Sequence, residues 1–210
     1  MTLHFDHLAI GAQTLAEGED WVESVLGVAM GPGGVHPRMG THNRLLKVGP
    51  RRYLEVIAVD PAAEAPTRPR WFGLDTPPAR PRILGWVARC VDIAAVAARS
   101  PLPLGTPEAM SRGALSWQIT IAADGRPPAG GALPSLIEWP EGVHPADGMA
   151  ETGVSLVALT IAHPEPVRIE AALAAMDWQA EGGLVQVSQG ERVALSASFL
   201  TPRGPVRLGP

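Results

Sequence analysis

One cysteine, Cys90, stands among 210 residues, so an intrachain disulfide and a Cys-rich zinc site are both excluded. Basic runs are missing as well. With a formal net charge of −4 and no Lys/Arg-rich stretch, the chain offers nucleic acid no positive surface. No apolar stretch reaches the roughly 18 residues that a membrane helix needs. Met1 leads directly into a strand-like run, without the charged and apolar regions of a signal peptide. The expectation is a cytoplasmic protein whose partners include neither membrane nor nucleic acid. Phosphate-binding loops are absent too: GPGG at 31–34 has neither the spacing nor the lysine of a P-loop.

What is present describes a globular protein. Hydrophobic residues make up 46% and charged residues 18%, a balance that builds a core rather than a disordered chain. Glycine (23) and proline (22) are plentiful, which favours turns and short strands over long helices. Leu3–Ile10 alternates like a strand, and strict alternation would put Phe5, His7 and Ala9 on one face. Thr14 suits an N-cap, Leu15–Leu26 is helical in pattern, and Gly27 suits a helix end. Two strand-like runs follow, Thr41–Val48 and Arg52–Ala58, joined by Gly49-Pro50. Residues 1–60 thus read as a βαβββ module.

Residues 61–82 are rich in proline and arginine and read as a linker, with one short helical turn around Trp71–Leu74. The pattern then recurs over 83–142. Ile83–Val91 is a strand, Asp92 caps a helix at Ile93–Arg99, and Ala114–Ala122 and Leu136–Trp139 are strands. Residues 153–207 read as a thinner third copy: a strand at Ser155–Ala162, a helix at Pro166–Met176 with proline at its start, then strands at Leu184–Ser188 and Val193–Leu200.

Specific segments carry a resemblance. DHLAIGA (6–12), GTHNRLLKVG (40–49) and YLEVIA (53–58) resemble the first module of the glyoxalase-like family of the vicinal-oxygen-chelate superfamily. RGALSWQITIA (112–122), LPSLIEWPEG (133–142) and LTIAHPEP (159–166) resemble its second module and C-terminal extension. The resemblance implies an α+β fold: tandem βαβββ modules forming a curved mixed sheet around a cleft, with a partial third module at the C-terminus. It also implies a small-molecule ligand and a divalent ion such as Zn, Ni, Mn or Fe, held by His, Gln or Glu on the first and last strands of each module. Members of the superfamily complete the cleft within one chain or across a dimer, so a homodimer stays open.

The residues offer His7, Glu55 and Glu138 as the metal set, with Glu55 and Glu138 as catalytic carboxylates. Imidazole and two carboxylates suit a borderline-to-hard divalent ion, and an open position would polarise a substrate oxygen. Trp86 falls where the second module should match His7, and indole is no ligand. A lone strand histidine is more often satisfied structurally. A glutamate within an apolar strand is more telling, because an unpaired buried carboxylate is costly. His36, Thr41, His42 and Asn43 form a polar cluster near glycines, read as a rim that orders substrate oxygens or as an ordinary turn. Trp86, Trp117 and Trp139 are candidate walls for a planar ligand, or core. Cys90 reads as a small buried residue. Three functions follow: a metal-assisted isomerase, lyase or ring-opening enzyme, a metal-free binding protein that sequesters a small molecule, or a protein whose cleft is filled by its own side chains.

Overall fold

The computed structural model describes residues 3–178 and 182–210. The first module runs β1 (His4–Gly11), α1 (Leu15–Leu26), β2 (Val35–His36), β3 (Thr41–Gly49) and β4 (Arg52–Val59). The second runs β5 (Arg82–Arg89), α2 (Ile93–Arg99), β6 (Thr106–Arg112), β7 (Leu115–Ile121) and β8 (Ser135–Glu138). Together they make an eight-stranded sheet in the order β2-β3-β4-β1-β5-β8-β7-β6. In each module the first strand pairs in parallel with the last, and the modules join where β1 and β5 run antiparallel. The sheet curls until its edge strands, β2 and β6, touch. Arg38, after β2, bonds Glu108 and the Ala109 carbonyl on β6, and Arg68 from the linker pairs with the same Glu108. The fold class is the expected one.

Local chemistry sets the helix ends. The Thr14 hydroxyl accepts from the Glu17 N–H, and Gly27 closes α1 in the left-handed region at φ +71°. The Asp92 carboxylate caps α2 by accepting from the Ala95 N–H at 2.9 Å.

The third unit runs β9 (Ser155–His163), α3 (Pro166–Ala175), β10 (Val185–Gln189), β11 (Ala194–Thr201) and β12 (Gly204–Leu208), as a separate sheet in the order β10-β9-β11-β12. Its element order is that of the other modules, but its wiring differs. Here β9 pairs in parallel with β10, the strand directly after the helix, rather than with the last strand. This unit packs against the convex, helix-bearing side of the large sheet. One continuous core joins Leu8, Leu54 and Trp86 to Leu159, Leu173 and Phe199. The concave side holds a second apolar cluster that includes Ala9, Ile57, Trp71, Phe72 and Val87. The cleft therefore belongs to the first two modules and the linker between them.

One irregularity in β1 decides the site. The pairing of β1 with β5 slips between Phe5 and His7, leaving Asp6 as an extra residue. Such a bulge breaks the two-residue alternation. Phe5 consequently lies in the convex-side core while Ala9 lies in the concave cluster, against the expectation that they share a face. Asp6 and His7, though adjacent, are directly hydrogen-bonded to each other.

Candidate functional site

The concave pocket opens to solvent, and its empty space, the solvent at its mouth included, is about 320 Å³, with His7, Tyr53, Glu55, Arg112 and aromatic rings among its lining residues. His7 is the centre of its polar chemistry. Its Nδ1–H donates to Asp6 Oδ1 at 2.7 Å, and its Nε2 lies 3.7 Å from Glu55 Oε2. The ring stacks on Tyr53 with centroids 4.4 Å apart. Both His7 and Glu55 are buried.

Asp6 is a fully buried hub. Its Oδ2 accepts from His144 Nε2 at 3.0 Å and from Trp139 Nε1 at 3.1 Å. His144 Nδ1 accepts from the Ala146 N–H, which fixes the ring proton on Nε2, facing Asp6. Burial opposes the Asp6 charge. The hydrogen bonds from His144 and His7 and the attraction of both rings outweigh it, holding the carboxyl well below its ordinary value. Burial, with the negative charges of Asp6 and Glu55, pushes the Tyr53 phenol well above its ordinary range, so it stays protonated.

The other side of the pair is equally tied. Asn43 Nδ2 donates to Glu55 Oε1 at 2.5 Å, while Asn43 Oδ1 accepts from the Gly34 N–H at 2.8 Å. Gly33 permits that approach: a Cβ there would stand 1.8 Å from the Asn43 carbonyl oxygen. Gly33 thus admits Asn43. His36 Nδ1 bonds the Thr41 hydroxyl at 3.1 Å, which also accepts from Trp71 Nε1. Burial lowers the His36 ring to about 4, so it is neutral at physiological pH. A polar chain therefore crosses the concave face from Trp71 through Thr41, His36, Asn43, Glu55, His7 and Asp6 to His144.

Several expected site residues lie elsewhere. Glu138 is not beside Glu55 and His7. On β8 it is Ile137 that faces the cavity, and Glu138 points to the helix side, where its Oε2 accepts from the Ile93 N–H at 2.8 Å at the start of α2. Trp86 pairs with Leu8 rather than His7 and is buried in the convex core, stacked on Phe5 and edge-on to Trp178. Val87 stands opposite His7. His42 alternates away from Thr41 and Asn43 on β3 and does not line the cavity. Trp117 and Trp139 do line it, 5.2 Å apart.

The implied metal does not fit this donor set. Of the three proposed ligands only His7 and Glu55 converge, and the second module supplies Val87 and Ile137 at the facing positions. Among the described residues no group of three or more His, Cys, Asp or Glu side chains is placed to hold an ion. Sequence reasoning missed Asp6, Tyr53, Trp71, Phe72, Arg112 and His144. For Asp6 the signal was its place beside His7. His144 lies 138 residues from its partner Asp6, and only the folded chain joins them.

The fold and site define a class: paired βαβββ modules curled around a concave pocket with His7 and Glu55 side by side among its lining residues. The sequence matches the glyoxalase-like domain over residues 5–176. The chain belongs to the glyoxalase-like domain family. A hypothetical protein from Staphylococcus aureus shares the fold, with a TM-score of 0.65 and 15% identity over 92% of this chain and 88% of that one. Methylmalonyl-CoA epimerase from Mycobacterium tuberculosis matches at a TM-score of 0.44 and 21% identity, over 65% of this chain and 88% of its own. The Streptomyces coelicolor epimerase bound to 2-nitronate-propionyl-CoA matches at 0.43 and 17%, over 67% and 96%. A comparison with curated proteins found no match. No helix among the described residues is long and apolar enough to cross a membrane.

Proposed function

We propose that the concave cavity binds a small carbonyl-containing metabolite and that His7 and Glu55 move a proton at the carbon beside its carbonyl. The observation that carries this reading is the buried pair itself: two ionisable side chains 3.7 Å apart in the lining of one cavity, each oriented by its own partner. Asp6 holds the proton on His7 Nδ1, which leaves the Nε2 lone pair on the cavity side. As the substrate C–H bond breaks, an N–H bond forms at Nε2 and the bonding electrons move onto the carbonyl oxygen as an enolate. Glu55 and Asp6 stabilise the imidazolium, much as a buried carboxylate does in other histidine bases. Return of the proton to carbon completes an isomerisation or exchange with no net redox change.

The test is solvent exchange. The protein is incubated in D2O with a panel of small 2-oxo and 3-oxo acids, and loss of the proton signal beside the carbonyl is followed by NMR. Wild type is expected to wash out that signal for at least one compound. His7→Gln and Glu55→Gln should slow it by about 100-fold or more, the usual worth of a positioned acid–base group. Treatment with a chelator should leave the rate unchanged. Aromatic walls at Trp71, Phe72, Trp117 and Trp139 favour a second reading, sequestration without chemistry. Saturable binding with no exchange above the buffer rate across the panel would establish that reading and end the first.

A further inference from the structure

Two side chains that line the cavity, buried Trp117 and half-buried Arg112, carry hydrogen-bond donors with no protein partner among the described residues. Trp117 is buried at 7% exposure, and its Nε1–H has no partner among the described residues. A buried donor left unsatisfied is costly, and native structures keep few of them. Arg112, at the end of β6, lines the same cavity, and none of the ion pairs or hydrogen bonds among the described residues involves its guanidinium. The acid on its own strand, Glu108, is already engaged by Arg38 and Arg68. Glu55 is engaged by Asn43. The Arg112 side chain passes over Gly34, where a Cβ would come within 2.8 Å of its Cγ and Cδ, so the bare loop leaves its course clear. Its charge reaches the interior, where it bears on both His36 and Tyr53.

We infer that Arg112 and the Trp117 indole N–H form an anion anchor, so that the ligand of this cavity is a small carboxylic acid. A guanidinium suits a planar carboxylate because it can donate two parallel N–H bonds, and the indole N–H adds a third donor of fixed direction. The anchor deepens the proposed function and rests on the same cavity. It fixes the acid end of a substrate whose carbonyl end lies at His7 and Glu55, which selects oxo acids over neutral ketones and aldehydes.

The experiment is calorimetric titration of the full chain with 2-oxo acids of three to six carbons and with their primary amides, which keep size and carbonyl but lose the charge. At least one acid is expected to bind tenfold or more tightly than its amide. Arg112→Gln should remove that preference and Arg112→Lys should restore part of it. Trp117→Phe keeps the ring and loses the donor. It should weaken acid binding three- to tenfold and leave amide binding unchanged. Equal binding of acids and amides, a preference that survives Arg112→Gln, or no acid binding by wild type would each overturn the anchor. Acid preference without deuterium exchange would instead retain the anchor and remove the proton-transfer reading, so the two failures are distinguishable.

Discussion

Replacing Asp6 by asparagine should cost the protein stability in a pH-dependent way. The carboxylate accepts from His7 Nδ1 on one oxygen and from both His144 Nε2 and Trp139 Nε1 on the other. An asparagine amide has one accepting oxygen. Its NH2 group must turn toward either His7 or the His144–Trp139 side, setting donor against donor. A hydrogen bond to a charged group is worth about 1.5–3 kcal/mol, so losing one or two of these costs roughly 2–5 kcal/mol near neutral pH. The native carboxyl titrates below its unfolded value of 3.8. Its contribution is therefore full above about pH 4 and is lost as the pH falls through the lower native value. Urea unfolding followed by tryptophan fluorescence, at steps from pH 7 to pH 3, reads both effects. The gap between wild type and Asp6→Asn should be wide at pH 7 and should narrow below pH 4. A gap under about 0.5 kcal/mol, the scale of an ordinary surface change, or one constant across the range, would refute the hub.

Three further outcomes can be checked. His36 titrates natively near 4 because it is buried, against 6.5 unfolded. The unfolded chain binds the extra proton between those values, so stability should fall as the pH drops from 6.5 toward 4, by roughly 3 kcal/mol at most, and His36→Gln should flatten that limb in the same urea series. Glu138→Ala removes the acceptor for the Ile93 N–H and should destabilise by about 1 kcal/mol in urea unfolding while leaving ligand affinity unchanged. Burial pushes the Cys90 thiol up to about 12, so it should resist a thiol reagent in native protein and react promptly in denaturant.

The helices were legible because side chains mark their ends: Thr14 and Gly27 bound α1, and Asp92 opens α2. The expected ranges for both match the structure. The strands not named from sequence, β2, β6 and β12, are all sheet edges. Edge strands bury less and tolerate proline and charge, so TPEAMSR at 106–112 has no apolar alternation to betray it. In the site, His7 and Glu55 were legible as polar groups in apolar strands, and His36, Thr41 and Asn43 do meet. The facing of residues was not legible where it depended on register. Beyond the slip at Asp6 it is His7 that lines the cavity, and two-residue counting cannot see a bulge. The same limit misplaced Trp86 and Glu138, whose side of the sheet is set by pairing with Leu8 and with Gln118. Arg112 and His144 reach the cavity's surroundings from a hairpin end and a connecting segment, where no periodicity applies.

The proton-transfer reading of this cavity depends on His7 presenting its Nε2 lone pair beside Glu55. Nitrogen-15 NMR of labelled protein at pH 9, where imidazole rings are neutral, reports which ring nitrogen carries the proton. The account predicts the proton on Nδ1, bonded to Asp6, with an unprotonated Nε2 whose signal moves when a ligand enters the cavity. A proton on Nε2 in the wild type would contradict it, because His7 would then be a donor with no base to offer.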